Sequence, residues 1–259
     1  MRKELIRFLI LNSIILSVLS IEANAEEIKS YQSNGVVEFV PNLDSTDPVN
    51  PENPDPEKPV KPIDPTDSDG PNPGTQGPLS IDYASSLDFG KNRISNKDQV
   101  YFARAQSYQG DQEDTPNFVQ VSDNRGTNSG WTLSVTQEAQ LTSTTPTLNN
   151  VLTGAKMTLS NSAISSNVQH ITAPEAKNSI ELVPGLASIV TFAKADTGAG
   201  TWATYWGHVE KVEEVDENGD TRQVNVTKAI QLAVPGSTPK DAVKYQTKLV
   251  WTLTDIPEI

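Results

Sequence analysis

Any chemistry in this chain would come from acidic, hydroxyl or aromatic side chains, because cysteine is absent and His170 and His208 are the only histidines. Without cysteine there can be no disulfide, no thiolate metal site and no cysteine nucleophile. Two histidines provide few candidates for a histidine triad or a zinc site. The hydrolase motif G-x-S-x-G and the metalloprotease motif H-E-x-x-H do not occur. We therefore expect no catalytic residue, no metal site and no cofactor.

Acidic residues leave two alternatives to that expectation. Paired carboxylates can cleave a glycan, but a high density of carboxylates is not evidence for the raised pKa that a general acid needs. The runs 67–70 (DSDG) and 216–220 (DENGD) carry the oxygen ligands that calcium prefers, although neither has the spacing of an EF-hand loop. Solvated acidic turns are the expected structure of both runs.

Aromatic residues in the segment 200–208 (GTWATYWGH) are the candidate binding surface. In a strand, Trp202 and Trp206 share one face and Tyr205 lies on the other. Exposed aromatic rings beside glycine would suit a glycan or the edge of a protein partner. The alternative is a strand packed in the core.

The first 25 residues have the pattern of a secretory signal peptide. Basic residues (Arg2, Lys3 and Arg7) precede the apolar run 8–21, and Ala23-Asn24-Ala25 forms a small-residue cleavage site. The apolar run is about 14 residues long, which is short of the roughly 20 that a membrane-spanning helix needs. We expect cleavage after Ala25 and a secreted protein without direct membrane insertion.

The mature chain would be strongly acidic, with 17 basic and 31 acidic residues after residues 1–25 are removed. Nucleic acids and anionic membranes are bound chiefly through Lys and Arg, so neither is an expected partner. Many bacterial envelope polymers are anionic too. Attachment to a wall should therefore depend on hydrogen bonds, sugar stacking or a protein partner rather than on bulk charge.

A proline-rich segment occupies residues 41–79 and contains 11 of the 18 prolines together with eight acidic residues. Proline fixes φ and like charges repel, so the composition predicts an extended linker or insertion that spans distance without packing. A docking ligand for another domain is the alternative. Before the segment, the run 35–40 (GVVEFV) predicts a strand, which would make residues 26–40 the N-terminal strand of the folded domain.

After this segment, the alternation of apolar and polar residues favours β-strands. The pair Asn218-Gly219 indicates a type I′ hairpin turn. Many short strands separated by turns predict an all-β fold, a single β-sandwich or barrel-like domain over residues 80–259. The predicted strands are 79–83, 100–102, 118–121, 131–135, 188–192, 224–226 and 230–234.

Two W-x-L elements occur in the chain, Trp131/Leu133 and Trp251/Leu253. The distal element resembles the C-terminal signature of the WxL family of Gram-positive cell-wall-associated proteins, with Val250 where the pattern usually has Thr. Segments 79–83, 87–90 and 200–202 and the acidic proline-rich insertion extend the resemblance over nearly the whole mature chain. The signature residues are Tyr245, Leu249, Trp251, Leu253 and Pro257.

Side chains at positions i and i+2 of a strand share a face, so each W-x-L element lies in an apolar stripe. Alternation with Ser and Thr favours burial of these stripes in the core, and exposed Trp platforms for sugar rings are the alternative. The stripes are Trp131, Leu133 and Val135 in the first element, and Tyr245, Leu249, Trp251 and Leu253 in the second.

The resemblance implies a non-catalytic protein of the Gram-positive cell surface, bound non-covalently to peptidoglycan or another wall glycan. Such proteins commonly act in multiprotein surface complexes with a membrane-anchored WxL-interacting protein. Retention by that protein rather than by glycan is therefore the alternative function. Residues 255–259 (DIPEI) contain no sorting motif, which agrees with non-covalent retention.

Overall fold

The computed structural model describes residues 29–215 and 219–257, and every regular element within them is a β-strand. Over the same residues no helix is long and apolar enough to cross a membrane. The strands are β1 Leu79–Ala84, β2 Gln99–Arg104, β3 Phe118–Asp123, β4 Trp131–Gln137, β5 Thr142–Ser143, β6 Lys156–Ser160, β7 Ser162–Ser165, β8 Glu175–Ala176, β9 Ser179–Leu182, β10 Ala187–Ala193, β11 Gly200–Trp206, β12 Val209–Val215, β13 Thr221–Val234, β14 Tyr245–Gln246 and β15 Leu249–Thr254.

Three antiparallel sheets make up most of the fold. The motif sheet has the order β15-β4-β10-β8, and the strap sheet, named for the segment that covers it, has the order β1-β3-β11-β7. A third sheet has the order β12-β13-β6-β9, with β2 also paired to β13. The prediction of an all-β sandwich-like domain is confirmed, and the sheets do not close into a barrel.

A single large apolar cluster joins the three sheets. Trp131 and Leu133 come from the motif sheet, Val119 from the strap sheet, and Leu159 and Ile230 from the third sheet, and each is at most 1% exposed. Burial of such large side chains stabilises the fold by about 1.5–3 kcal/mol for each aliphatic residue before conformational entropy is subtracted. Alternation of apolar and polar residues along each strand is what directs one face of every sheet to this core.

The predicted strands 224–226 and 230–234 are one strand, the 14-residue β13. Its pairing with β2 shifts register between Thr227 and Gln231, so an irregularity bends the strand without ending it. A hairpin does join β12 to β13, and their register ends at Val215 opposite Thr221. Asn218 of the predicted turn lies outside the described residues.

Residues 47–64, here called the strap, pack on the outer face of the strap sheet. Val49 and Val60 are 2% and 9% exposed, and Val60 N–H donates to Pro48 O at 2.8 Å, which closes a loop between them. Residues 47–64 thus contact the sheet at these positions. The reason is local: two valines and two buried prolines, Pro51 and Pro62, interrupt the polar residues at positions that reach the sheet.

Residues 29–38 belong to a separate unit from Phe39–Ile259 and contain no strand. The expected strand at 35–40 is therefore not formed, and Val36 and Phe39 are 94% and 88% exposed. A short apolar run gains little from strand geometry when no neighbouring strand pairs with it. The predicted signal peptide, residues 1–25, lies outside the described residues.

Candidate functional site

The two W-x-L elements lie side by side in the motif sheet. β4 and β15 pair antiparallel, with Leu253 opposite Leu133 and Trp251 opposite Val135. Residues directly opposite each other in such a pair share a face of the sheet. The two apolar stripes predicted from the sequence therefore join on one face, although they are far apart in the chain.

The apolar face of this strand pair is turned to the core. Trp131 is 1% exposed and its indole N–H donates to Gly198 O at 3.0 Å, and Leu133 is fully buried. In the edge strand, Leu249, Trp251 and Leu253 are half-buried and pack against the same core. The Trp251 ring lies 6.3 Å from the Trp206 ring, centroid to centroid, at a tilt of 41°. In the folded state the motif tryptophans are thus packing residues.

The candidate surface formed by Trp202, Tyr205 and Trp206 is largely not a surface. Trp202 is 6% exposed, with its indole N–H bonded to Ala199 O at 2.9 Å, and Trp206 is 2% exposed. Both rings belong to the core of the strap sheet, so they cannot stack on a glycan while the domain is folded. Tyr205, on the opposite face, is half-buried against the cluster beneath the strap.

Tyr245 of the signature packs against a smaller apolar cluster, and its hydroxyl group also holds a loop in place. Its hydroxyl donates to Asn149 O at 2.6 Å and accepts from Asp241 N–H at 2.9 Å. Asp241 in turn accepts from the backbone and side-chain amides of Asn149, both at 2.8 Å, and from the Thr147 hydroxyl. These hydrogen bonds hold the pKa of Asp241 below its usual value. The loop beside them lines an open concavity of about 420 Å³.

A tight loop introduces the first W-x-L strand. Gly130 has φ of 78°, and a Cβ at this position would lie 2.4 Å from Ala193 O. Its carbonyl accepts from Arg125 at 2.7 Å, while Arg125 binds both carboxylate oxygens of Asp123 at 2.8 and 2.9 Å. Hydrogen bonding to Asp123 raises the pKa of Arg125, so this clamp stays charged. The loop thereby fixes where Trp131 enters the sheet.

The opposite face of β4 and β15 is a row of hydroxyl groups, here called the hydroxyl face: Thr132, Ser134, Thr136, Thr252 and Thr254. Register places Thr254 opposite Thr132 and Thr252 opposite Ser134. Thr252 and Thr254 are exposed and the β4 members are half-buried. The residues in the middle of both W-x-L elements, Thr132 and Thr252, belong to this face. Sequence reasoning missed it, although the same alternation that identified the apolar stripe also defines the polar one.

Several of these hydroxyls are available to a ligand. Thr132 donates to Ile256 O at 2.7 Å, but the Ser134 and Thr254 hydroxyls reach main-chain oxygens only at 3.5 Å, the limit of a hydrogen bond. Each hydroxyl can both donate and accept. Neighbouring strands lie about 4.8 Å apart, so the groups form a flat, closely spaced array. Val250, the departure from the family pattern, is 45% exposed beside them.

The border of the hydroxyl face carries cationic side chains. Phe192 of β10 lies opposite Thr132, and the ammonium groups of Lys177 and Lys194 lie 5.0 and 5.7 Å from its ring centroid. The carboxylate at this border, Glu175, is paired with Lys194 at 2.6 Å. The five members of the hydroxyl face are themselves uncharged. The nearest acidic residue along β15 is Asp255, which is exposed directly after Thr254.

The two histidines lie at the surface, and the buried acidic side chain of Asp82 is held in a hydrogen-bond network. His170 and His208 are exposed, and His208 lies 3.9 Å from a carboxylate oxygen of Glu210, which also binds Lys228. Asp82 is buried, but it accepts from Ser80, Ser122 and Gln120 and lies under the strap. No three His, Asp or Glu side chains within residues 29–215 and 219–257 are placed to hold a metal ion.

Comparison with known families gives one match: the profile described as "WxL domain surface cell wall-binding" fits residues 26–257. Comparisons with curated proteins and with solved structures gave no match. The matched range covers the motif sheet, the strap and the loop held by Tyr245. The chain therefore belongs to the WxL domain family of surface cell wall-binding proteins.

Proposed function

We propose that this protein is a non-catalytic surface protein, secreted and bound non-covalently to peptidoglycan through the hydroxyl face of its motif sheet. The observation that supports the proposal is the placement of both W-x-L elements in adjacent strands with their central threonines, one half-buried and one exposed, on the same uncharged face. Glycan hydroxyl and acetamido groups are hydrogen-bonding partners that such an array can satisfy. An aromatic platform is not required for this mode of binding.

Charge supports the choice of this face. The chain has 33 acidic and 20 basic residues, so most of its surface repels an anionic wall. The hydroxyl face has no carboxylate of its own and is bordered by Lys177 and Lys194. The five residues of the face thus bring no carboxylate of their own to a polyanionic wall, and the carboxylate of Glu175 at its border is paired with Lys194.

Co-sedimentation with purified cell walls tests the proposal. The test variant combines Ser134→Ala, Thr252→Val and Thr254→Val, which removes three hydroxyls while keeping side-chain size and strand propensity similar. The matched control is Thr158→Val with Thr221→Val, which makes the same change on strands of the third sheet. We expect the test variant to lose at least tenfold in affinity for protease-treated walls and the control to bind as the parent protein does.

A second candidate function rests on the edge position of β15. Leu249–Thr254 is the outer strand of the motif sheet and contains no charged residue and no proline, which are the usual protections of an edge strand. Such a strand can pair with an extended segment of another protein, as a membrane-anchored WxL-interacting protein would require. Binding that disappears when walls are treated with protease would support this candidate and contradict direct glycan binding.

A further inference from the structure

The strap is held on its sheet in the way a bound peptide is held. Gln120, fully buried in β3, accepts from Val49 N–H at 2.8 Å and donates to Asp47 O at 3.1 Å. A side-chain amide that bonds to both an N–H and a C=O of an extended segment replaces the pairing that a neighbouring strand would give. Further along, Ile63 N–H donates to Ser107 O, and Gln109 N–H donates to Lys61 O, both at 2.9 Å.

One apolar anchor of the strap, Val60, enters an aromatic pocket. Val60 packs in one cluster with Tyr83, Tyr108 and Phe118, and the Tyr83 and Phe118 rings lie 4.8 Å apart, centroid to centroid. Tyr83, Tyr108 and Phe118 are at most 6% exposed with the strap in place. Removal of the strap would expose these rings together with Gln120. An aromatic-lined groove with a buried amide is the chemistry by which proteins recognise proline-rich peptides.

The segments on both sides of the strap are exposed. Residues 41–45 and 65–69 are exposed throughout. The hydrogen bonds within residues 65–73 are local, such as Gly70 N–H to Asp67 O at 3.3 Å and Asp69 N–H to an Asp67 carboxylate oxygen at 2.9 Å. Nine residues, 65–73, can span about 30 Å when extended, which is enough to place the strap on a neighbouring molecule.

We propose that the strap and the face it covers are a separable recognition pair, and that this face accepts the strap of a second copy of the chain. The occupant of the groove would then be the same peptide in both states, first from its own chain and then from its neighbour. Exchange of an identical element between copies is a known route to assembly that needs no new interface. The proposal is independent of which wall component the hydroxyl face binds.

Peptide binding to an opened chain tests the groove. The opened variant is the mature chain with Val49→Asp and Val60→Asp, which removes both anchors from the strap and leaves the groove unchanged. The probe is a labelled synthetic peptide of residues 44–66, followed by fluorescence anisotropy up to about 1 mM, since intramolecular segments have effective concentrations in the millimolar range. We expect the opened variant to bind the peptide at least tenfold more tightly than the unmodified chain, whose own strap competes.

Two controls make that result specific. A peptide carrying the same two Asp substitutions should not bind, and a chain with Glu52→Ala and Glu57→Ala, at exposed strap positions, should bind the normal peptide as weakly as the unmodified chain does. Absence of peptide binding to an opened variant that keeps its near-UV circular dichroism would overturn the proposal. Equal binding of both peptides would overturn it too, because the valine anchors would then have no role.

Exchange between copies needs a second measurement. The opened variant has a free groove, and a Gln120→Ala chain has an intact strap but a groove without its amide. We expect an equimolar mixture to form a one-to-one complex in sedimentation velocity, while each variant alone stays monomeric. A mixture of two folded variants that stays monomeric would rule out exchange between copies.

If either variant fails to fold, amide hydrogen exchange of the unmodified chain decides the question. The Val49 and Val60 amides should exchange together and faster than those of Val121 and Leu133 in the core, because the strap opens without global unfolding. Exchange of all four at the rate of global unfolding would contradict a separable strap.

Discussion

Gly130, in the loop that leads into β4, is required both for its positive φ and because a Cβ would clash there. Gly126 in the same loop has positive φ without the clash, so a comparison of the two positions separates these effects. Gly126 also has positive φ, 72°, but a Cβ there would meet nothing within 4 Å, whereas at Gly130 it would lie 2.4 Å from Ala193 O. We expect Gly126→Ala to lower the free energy of unfolding by about 1–2 kcal/mol. Gly130→Ala should lower it by roughly 1–3 kcal/mol more, because backbone must move. Urea denaturation measures both, and equal losses would contradict the clash.

Asp82 makes the stability of the domain depend on pH. Burial raises the pKa of this carboxyl above its usual value, while hydrogen bonds from Ser122, Ser80 and Gln120 act in the opposite direction. A group whose pKa is higher in the folded than in the unfolded state stabilises the fold below its unfolded pKa, and that stabilisation is lost as the pH rises through the folded pKa. Asp82 therefore favours the fold in acid.

Asp82→Asn removes this pH dependence. An Asn side chain can accept from Gln120 and Ser122 through its oxygen and donate to the Ser80 hydroxyl, so the network is preserved without a buried charge. We expect the variant to be more stable than the parent protein at neutral pH, and the difference to shrink as the pH falls through the raised pKa of Asp82 towards the usual range of a carboxyl group. The free energy of unfolding across pH values tests this, and a constant difference would assign the effect to another cause.

At the scale of elements, Tyr245 connects the C-terminal signature to the 141–150 loop. Tyr245→Phe removes one hydroxyl that bridges Asn149 O and Asp241 N–H. We expect a loss of about 1–3 kcal/mol in the free energy of unfolding, since two partly buried hydrogen bonds disappear together, and faster hydrogen exchange at Asn149. Tyr101→Phe is the control. The Tyr101 ring is also half-buried, but its hydroxyl group has no hydrogen-bond partner in the described part of the chain. Similar losses in both variants would show that the bridge contributes nothing.

The strands were predictable where apolar and polar residues alternate along the sequence, because a strand with one buried face has a period of two residues. Trp131, Leu133 and their neighbours follow this period, and they lie in the core. The Trp202 and Trp206 pair follows the same period, yet alternation alone does not say which of the two faces of β11 is covered. Burial of Trp202 depends on the large apolar cluster, and members of that cluster such as Ile81 and Ile230 are distant from Trp202 in the sequence.

The strap and the hydroxyl face were harder to predict for different reasons. The composition of residues 47–64 is typical of a linker, because prolines and acidic residues outnumber the two valines that anchor the segment. Nothing local indicates that Gln120, far along the chain, binds Val49. The hydroxyl face required knowledge that β4 and β15 are neighbours in register, which no single segment reveals.

At the scale of the whole molecule, net charge predicts an unusual salt dependence of wall binding. The chain carries a formal charge of −13, so repulsion from an anionic wall should be strongest at low ionic strength, where the Debye length is about 30 Å at 10 mM. At 150 mM it falls to about 8 Å, and we expect co-sedimentation to hold or increase. Thr252→Asp, which adds a carboxylate to the hydroxyl face, should bind less and depend more on salt. A steady fall in binding of the parent protein with salt would instead indicate contacts through Lys177 and Lys194.

Pairing of β4 with β15 has a consequence for timing. Ser134 and Thr252 are 118 residues apart in the chain, and strands this distant pair slowly because a long loop must close first. Two of the five members of the hydroxyl face, Thr252 and Thr254, lie on β15. A chain shortened before β15 therefore cannot form the complete face, whatever the state of β4.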